Sequence, residues 1–263
     1  MKFKKAIAFG FLLVASLKST AQSNTTWNNK KCAVSLTYDD ALNVHLDNAV
    51  PLLDSLGLKA TFYLSGYSGA LSNRINDWRS IAVKGHELAN HTLFHPCTGK
   101  LPGRDFVSAD YELSTYSLKR ISDEITMTNT LLKAIDGKTE RTFAYPCGDM
   151  KIGDSLYLNS TKTEFVAARG VKSEMQKIGA IDLYNIGCYA INGQTGQELI
   201  ALVKKAMASN TLLVFLFHGV GGGHGLNVSL PAHRELLQFL KQNEKDIWIA
   251  PLIDIAKRIK PLK

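Results

Sequence analysis

The chain has 263 residues, 45% of them hydrophobic, which is enough to bury a large core as one barrel-type domain or two small ones. Its formal charge of +8 comes with no Lys/Arg block and no basic aromatic stripe, so nothing in it calls for nucleic-acid binding. Four cysteines behind a secretion-like N-terminus permit disulfides and disfavour thiolate catalysis.

Met1 to Lys5 form a basic n-region, Ala6 to Leu17 an apolar h-region, and Ser19-Thr-Ala21 a small-residue cleavage site. The expected organisation is a signal peptide over 1–21 and a single folded domain over 22–263, secreted or periplasmic. The apolar run is short for a bilayer span, so no stable membrane insertion is expected after cleavage. Loss of Lys2, Lys4, Lys5 and Lys18 leaves 27 basic against 23 acidic side chains, a surplus of +4 that tolerates an anionic wall polymer without demanding one.

Beyond residue 30, apolar strands alternate with amphipathic helices. Strands are expected at Ala33–Tyr38, Lys59–Leu64, His86–Ala89, Thr142–Tyr145, Phe165–Ala168, Leu183–Cys188, Thr211–Phe217 and Ile247–Ala250. Helices are expected at Val44–Leu56, Ile75–Val83, Gln197–Met207, Pro231–Gln242 and Leu252–Ile259. The longest runs over 109–135, closed by Asp136-Gly137. Such alternation calls for a parallel sheet, and this many units in one chain favour a closed or nearly closed barrel. Barrels of that kind carry their chemistry on the loops after the strands, where Asp39, Asp40, His91, Tyr145, Arg169 and His218 all fall.

Adjacent carboxylates such as Asp39 and Asp40 repel unless a cation separates them. One Asp with His91 and His95, four residues apart, makes an open site for a divalent ion, zinc first, and leaves the other Asp free as a base. For both imidazoles to face one ion, Asn90 has to start a helical turn that Pro96 stops. His86-Glu87 with His91 imitates a zinc-peptidase motif, but a spacing of five defeats it. His86 therefore reads as a structural group beneath the site. His218, closing the apolar strand Leu212 to Phe217, is placed as a general acid. The glycine run after it lacks the Lys-Ser/Thr of a phosphate loop and follows a strand rather than opening a helix.

Of the three pairings open to Cys32, Cys97, Cys147 and Cys188, 97–147 is preferred because both loops lie at the expected site mouth. Cys32 and Cys188 read equally as buried free thiols or as a second bond.

Together these residues resemble the polysaccharide deacetylase (NodB-homology) family, the family-four carbohydrate esterases, over nearly the whole mature chain. Thr37-Tyr-Asp-Asp40 is similar to that family's first motif, His91-Thr-Leu-Phe-His95 to its second, Phe143-Ala-Tyr-Pro-Cys-Gly148 to its third and Leu216-Phe-His218 to its fifth. The resemblance implies a distorted, incomplete (β/α) barrel, Asp39 as catalytic base, Asp40, His91 and His95 as metal ligands, and His218 as acid. It also implies substrate contacts from Tyr145, Pro146, Cys147 and Leu216, with the Cys147 N–H stabilising the oxyanion.

Two positions depart from the pattern. Ala144 stands where the family usually has an arginine that holds the base, and Arg169, at the next strand end, is the candidate replacement. The acid that orients the catalytic histidine has only Asp182 as a candidate. The implied partner is an acetylated poly- or oligosaccharide, peptidoglycan or chitin-like, for a monomeric enzyme. The alternatives are an O-acetyl esterase on plant or algal glycans and a non-catalytic glycan-binding protein on the same barrel.

Overall fold

The computed structural model describes Met1 and residues 26–262, so the expected signal peptide lies, Met1 apart, outside the described residues. β1 (Cys32–Asp39) leads through a π-turn (His45–Ala49) into α1 (Val50–Ser55) and β2 (Thr61–Leu64). Then come α2 (Gly69–Asn73), α3 (Ile75–Val83), β3 (Glu87–Asn90), α4 (Leu118–Asp136) and β4 (Arg141–Ala144). A hairpin of β5 (Lys151–Ile152) and β6 (Ser155–Leu156) precedes β7 (Phe165–Arg169), β8 (Tyr189–Ala190), α5 (Gly196–Ser209) and β9 (Leu212–Phe217). β10 (Gly219–Val220), β11 (Asn227–Val228), α6 (Leu230–Gln242), β12 (Ile247–Ile249) and α7 (Leu252–Ile259) follow. No helix among the described residues is long and apolar enough to cross a membrane.

Seven strands lie in the order β7-β4-β3-β2-β1-β9-β8, every pair parallel, and curl into an incomplete barrel. β1 is shared at one edge: β12 pairs with its first residues (Cys32↔Ile247) and β2 with its last (Thr37↔Thr61). Both faces of β1 and β9 are buried, which is why they read as unbroken apolar runs. Leu213, Phe215 and Phe217 face the helix layer, while Leu212, Val214 and Leu216 face inward. Inside the barrel, Ala33, Ala89, Ala144 and Ala167 leave room for α7, whose Leu252, Ile255, Ala256 and Ile259 pack among them.

Three expectations are corrected. The longest helix starts at Leu118, not near 109, with the Ser117 side chain accepting from Arg120 N–H. Residues 109–115 make two 3-10 turns instead, because Leu113 and Tyr116 bury themselves against Tyr145 and Tyr157. Leu183–Cys188 is not a regular strand but a bridge between the two sheet edges. Ala168 and Gly170 N–H donate to Leu183 O and Ile186 O on one side, and Tyr189 and Ala190 pair with β9 on the other. The third correction, at His91–His95, belongs to the site.

His86 is a structural group at the opposite end of the sheet. Its Nδ1 accepts from Ala60 N–H at 3.2 Å and its Nε2 donates to Asp54 at 3.1 Å. Burial holds His86 and His45 down at about 4 and His233 at about 3. All three are neutral in the folded chain and near 6.5 when unfolded, so below about pH 6.5 the unfolded state binds more protons. Stability is therefore full above pH 6.5 and is lost as pH falls toward 4, at about 1.4 kcal/mol per pH unit for each group. Urea midpoints should drop steeply between pH 6.5 and 4.5, and a flat profile would refute this account.

Candidate active site

β1 ends at Asp39, which by the two-residue alternation shares the inner face with Ala33, Ser35 and Thr37. Asp40 would point the other way if the strand continued. It does not: Asp40 and Ala41 have φ of 79° and 54°, and this turn lets two consecutive carboxylates line one cavity. Ala41 occupies a left-handed position that suits glycine, at a cost of about 1–2 kcal/mol.

His91 and His95 do not lie on a helical turn. The chain after β3 instead takes positive φ at Thr92 (63°) and His95 (54°). Asn90 and Thr92 offset that strain: Asn90 Oδ1 accepts Thr92 N–H at 2.8 Å, and Thr92 Oγ1 accepts His95 N–H at 3.0 Å. Asn90 is itself anchored on α4, donating to Ile125 O and Asn129 Oδ1. The two rings meet edge to face with centroids 4.7 Å apart.

Asp40 Oδ1 lies 3.5 Å from His91 Nε2 and 3.4 Å from His95 Nε2, and one donor atom from each residue falls within 4.8 Å of the others. This oxygen is buried and has no hydrogen-bond partner. His91 Nδ1 donates to Ala144 O at 2.8 Å, leaving Nε2 with a free lone pair. Burial holds His91 down at about 4, so it is neutral near pH 7. An orphaned carboxylate oxygen beside a fixed neutral imidazole is a donor set that fits a divalent cation.

Asp39, whose Oδ2 lies 3.7 Å from His91 Nε2, is engaged by Arg169. The guanidinium is fully buried and its Nη2 donates to Asp39 Oδ2 at 2.5 Å, while Nη1 donates to Gly170 O at 3.1 Å. Arg169 is the register partner of Ala144 in the β4–β7 ladder, so the cation stands one strand over from the alanine. The other Asp39 oxygen, Oδ1, is buried without a partner.

Cys97 and Cys147 form a disulfide with Cα atoms 5.8 Å apart, tying the His95 loop to the turn Pro146–Gly148. Cys32 and Cys188 are free and buried. Tyr145, Cys147, Leu216 and His218 line a cavity of about 860 Å³ together with both carboxylates. Pro146, expected among the substrate contacts, is buried and does not line this cavity. Asp182 does not reach His218: it is exposed and accepts from Tyr184 N–H. His218 Nδ1 is buried with no partner, and burial lowers its pKa.

Two histidines in contact with His218 went unread in the sequence. His224 stacks on His218, and His45 donates from Nε2 to His218 O at 2.7 Å. The only signal for His224 was a polar ring embedded in a glycine run.

Fold and site together define a class, an incomplete parallel α/β barrel with a carboxylate and imidazole cluster at its C-terminal strand ends. The chain belongs to the polysaccharide deacetylase family, whose family model matches residues 27–166. Among solved structures it is similar to a Mycobacterium smegmatis protein described as a polysaccharide deacetylase, with a TM-score of 0.63 and 16% identity, covering 89% of this chain and 91% of that one. A Bacillus cereus polysaccharide deacetylase matches with a TM-score of 0.53 and 16% identity over 84% of this chain and 91% of its own. Likeness at these identities concerns the fold. A chitin deacetylase from Pestalotiopsis sp. is 29% identical over 107 residues, 39% of this chain and 30% of that protein. The chain spans less than a third of the length of the curated relatives it matches.

Proposed function

We propose that this protein is an exported, metal-dependent hydrolase that removes acetyl groups from N-acetylated glycans of the peptidoglycan or chitin type. The observation that carries the reading is the separation of two neighbouring carboxylates, Asp40 toward His91 and His95 and Asp39 onto Arg169, within one open cavity. Export is supported by the signal-like residues 1–21 and by the Cys97–Cys147 disulfide, which an oxidising compartment preserves.

Asp40, His91 and His95 would hold the cation, which when bound supplies Lewis-acid polarisation of the acetyl carbonyl and acidifies water. Asp39 takes the proton of the attacking water on its unpartnered Oδ1 while Arg169 fixes the carboxylate plane. The N–H of Cys147, a cavity-lining residue with a left-handed φ of 55°, would stabilise the developing oxyanion. His218 passes a proton to the departing amine, and Leu216 walls the acetyl methyl.

Acetate release by the purified mature protein, measured against peptidoglycan, N-acetylglucosamine oligomers and acetylated xylan, tests the reading. Release from the N-acetylated substrates and its loss on chelation are expected. Release from xylan alone would make the enzyme an O-acetyl esterase, and none from any substrate would leave a glycan-binding protein.

A further inference from the structure

The run Gly219 to Gly225 is the one sequence motif that the chemistry above leaves without a task. Its geometry requires glycine: Gly221, Gly222 and Gly223 have φ of 72°, 121° and 82°, and a Cβ on Gly223 would lie 2.9 Å from the Val44 side chain. The loop is pinned, because β10 pairs with β11 and Gly222 N–H donates to Asn227 Oδ1 at 2.8 Å. It delivers His224, whose ring lies on that of His218 with centroids 4.7 Å apart and planes 16° from parallel. His224 Nδ1 accepts Leu226 N–H at 3.0 Å, which fixes the turn of its ring and leaves the proton on Nε2.

His218 is held by hydrogen bonds at its backbone, whereas its ring nitrogens have, among the described residues, only Asp40 Oδ2 at 3.8 Å from Nε2. His45 donates to His218 O and Asn48 to Val220 O, both at 2.7 Å from the π-turn. The ring's Nδ1 has no partner, and Asp182 is turned away in solvent. An imidazole without a bond behind it is free to turn about χ2, and a flat neighbour on one face removes much of that freedom. Both rings turn Nε2 toward Asp40 Oδ2, at 3.8 Å from His218 and 4.0 Å from His224.

We propose that His224 is a positioning residue for His218. Its ring forms one wall of the slot that aims the His218 imidazole at the leaving group, a task that a carboxylate behind Nδ1 would otherwise perform. The inference rests on the deacetylase reading for the role of His218 and adds what orients that ring.

His224→Ala removes the wall, and His224→Phe restores a flat ring without nitrogens. Crystal structures should show a single His218 rotamer in the parent and in H224F, and more than one in H224A, with equal metal content in all three. On an N-acetylglucosamine tetramer, kcat of H224A should fall roughly tenfold to a hundredfold with KM nearly unchanged, and H224F should recover to within about threefold of the parent. A single, unmoved His218 rotamer in H224A overturns the inference whether or not acetate is released. Metal loss from H224A, or H224F no more active than H224A, overturns it as well, since either result makes the imidazole nitrogens the working part. A parent protein that releases no acetate refutes the deacetylase reading, and the rotamer comparison then decides the positioning role alone.

Discussion

Asp39→Asn should abolish measurable acetate release while the protein keeps its metal, and Asp40→Asn should lose both. The two side chains are adjacent in sequence but differ in what surrounds them. Asp40 Oδ1 stands within 3.5 Å of two imidazole nitrogens, whereas Asp39 gives one oxygen to Arg169 and keeps the other free. An amide at 39 holds the shape but takes no proton, which removes general-base assistance of about 10²–10⁴-fold. An amide at 40 removes the only anionic donor of the set, and His95→Ala should lose metal for the same reason. Elemental analysis of the purified variants, paired with acetate release, is the measurement. Equal metal loss from the variants at 39 and 40 would end the division of labour between them.

Removal of the Arg169 cation has the second largest expected effect, on turnover and stability together. Arg169 is fully buried, and its guanidinium carbon lies 4.9 Å from the centre of the Tyr63 ring. Breaking a buried ion pair from one side leaves an unpaired charge, at a cost of about 3–5 kcal/mol. Arg169→Met should therefore lower the urea midpoint of the metal-free protein and, by freeing the Asp39 carboxylate to rotate, reduce kcat by a factor on the order of a hundred. The double variant R169M/D39N should be more stable than R169M alone, because the buried charge is then gone. A single variant as stable as the parent would show that the ion pair contributes nothing to the fold.

The sequence by itself determined the class of fold and most of the chemistry-bearing side chains that meet in the cavity, His224 excepted. Apolar runs buried on two faces and helices of regular period are local signals, which is why Ile75–Val83 and Leu252–Ile259 form helices over the very residues that periodicity marks. The Asp pair, His91 and His218 were legible because each sits at or just past the end of such a run, and His95 by its spacing from His91. Where propensity competes with distant packing, that legibility stops. Residues 109–117 have helical spacing yet give it up to bury Leu113 and Tyr116, and Leu183–Cys188 is strand-like yet spans two sheet edges. His91 and His95 meet through left-handed residues that Asn90 supports from α4, not through a helical turn. Only the tertiary structure decided that Arg169 stands beside Ala144 and that His224 lies on His218. Strand register sets Ala144 beside Arg169 from two separate strands, and the glycine loop between His218 and His224 takes its path from a distant segment, Val44 packing on Gly223 and Asn48 donating to Val220 O.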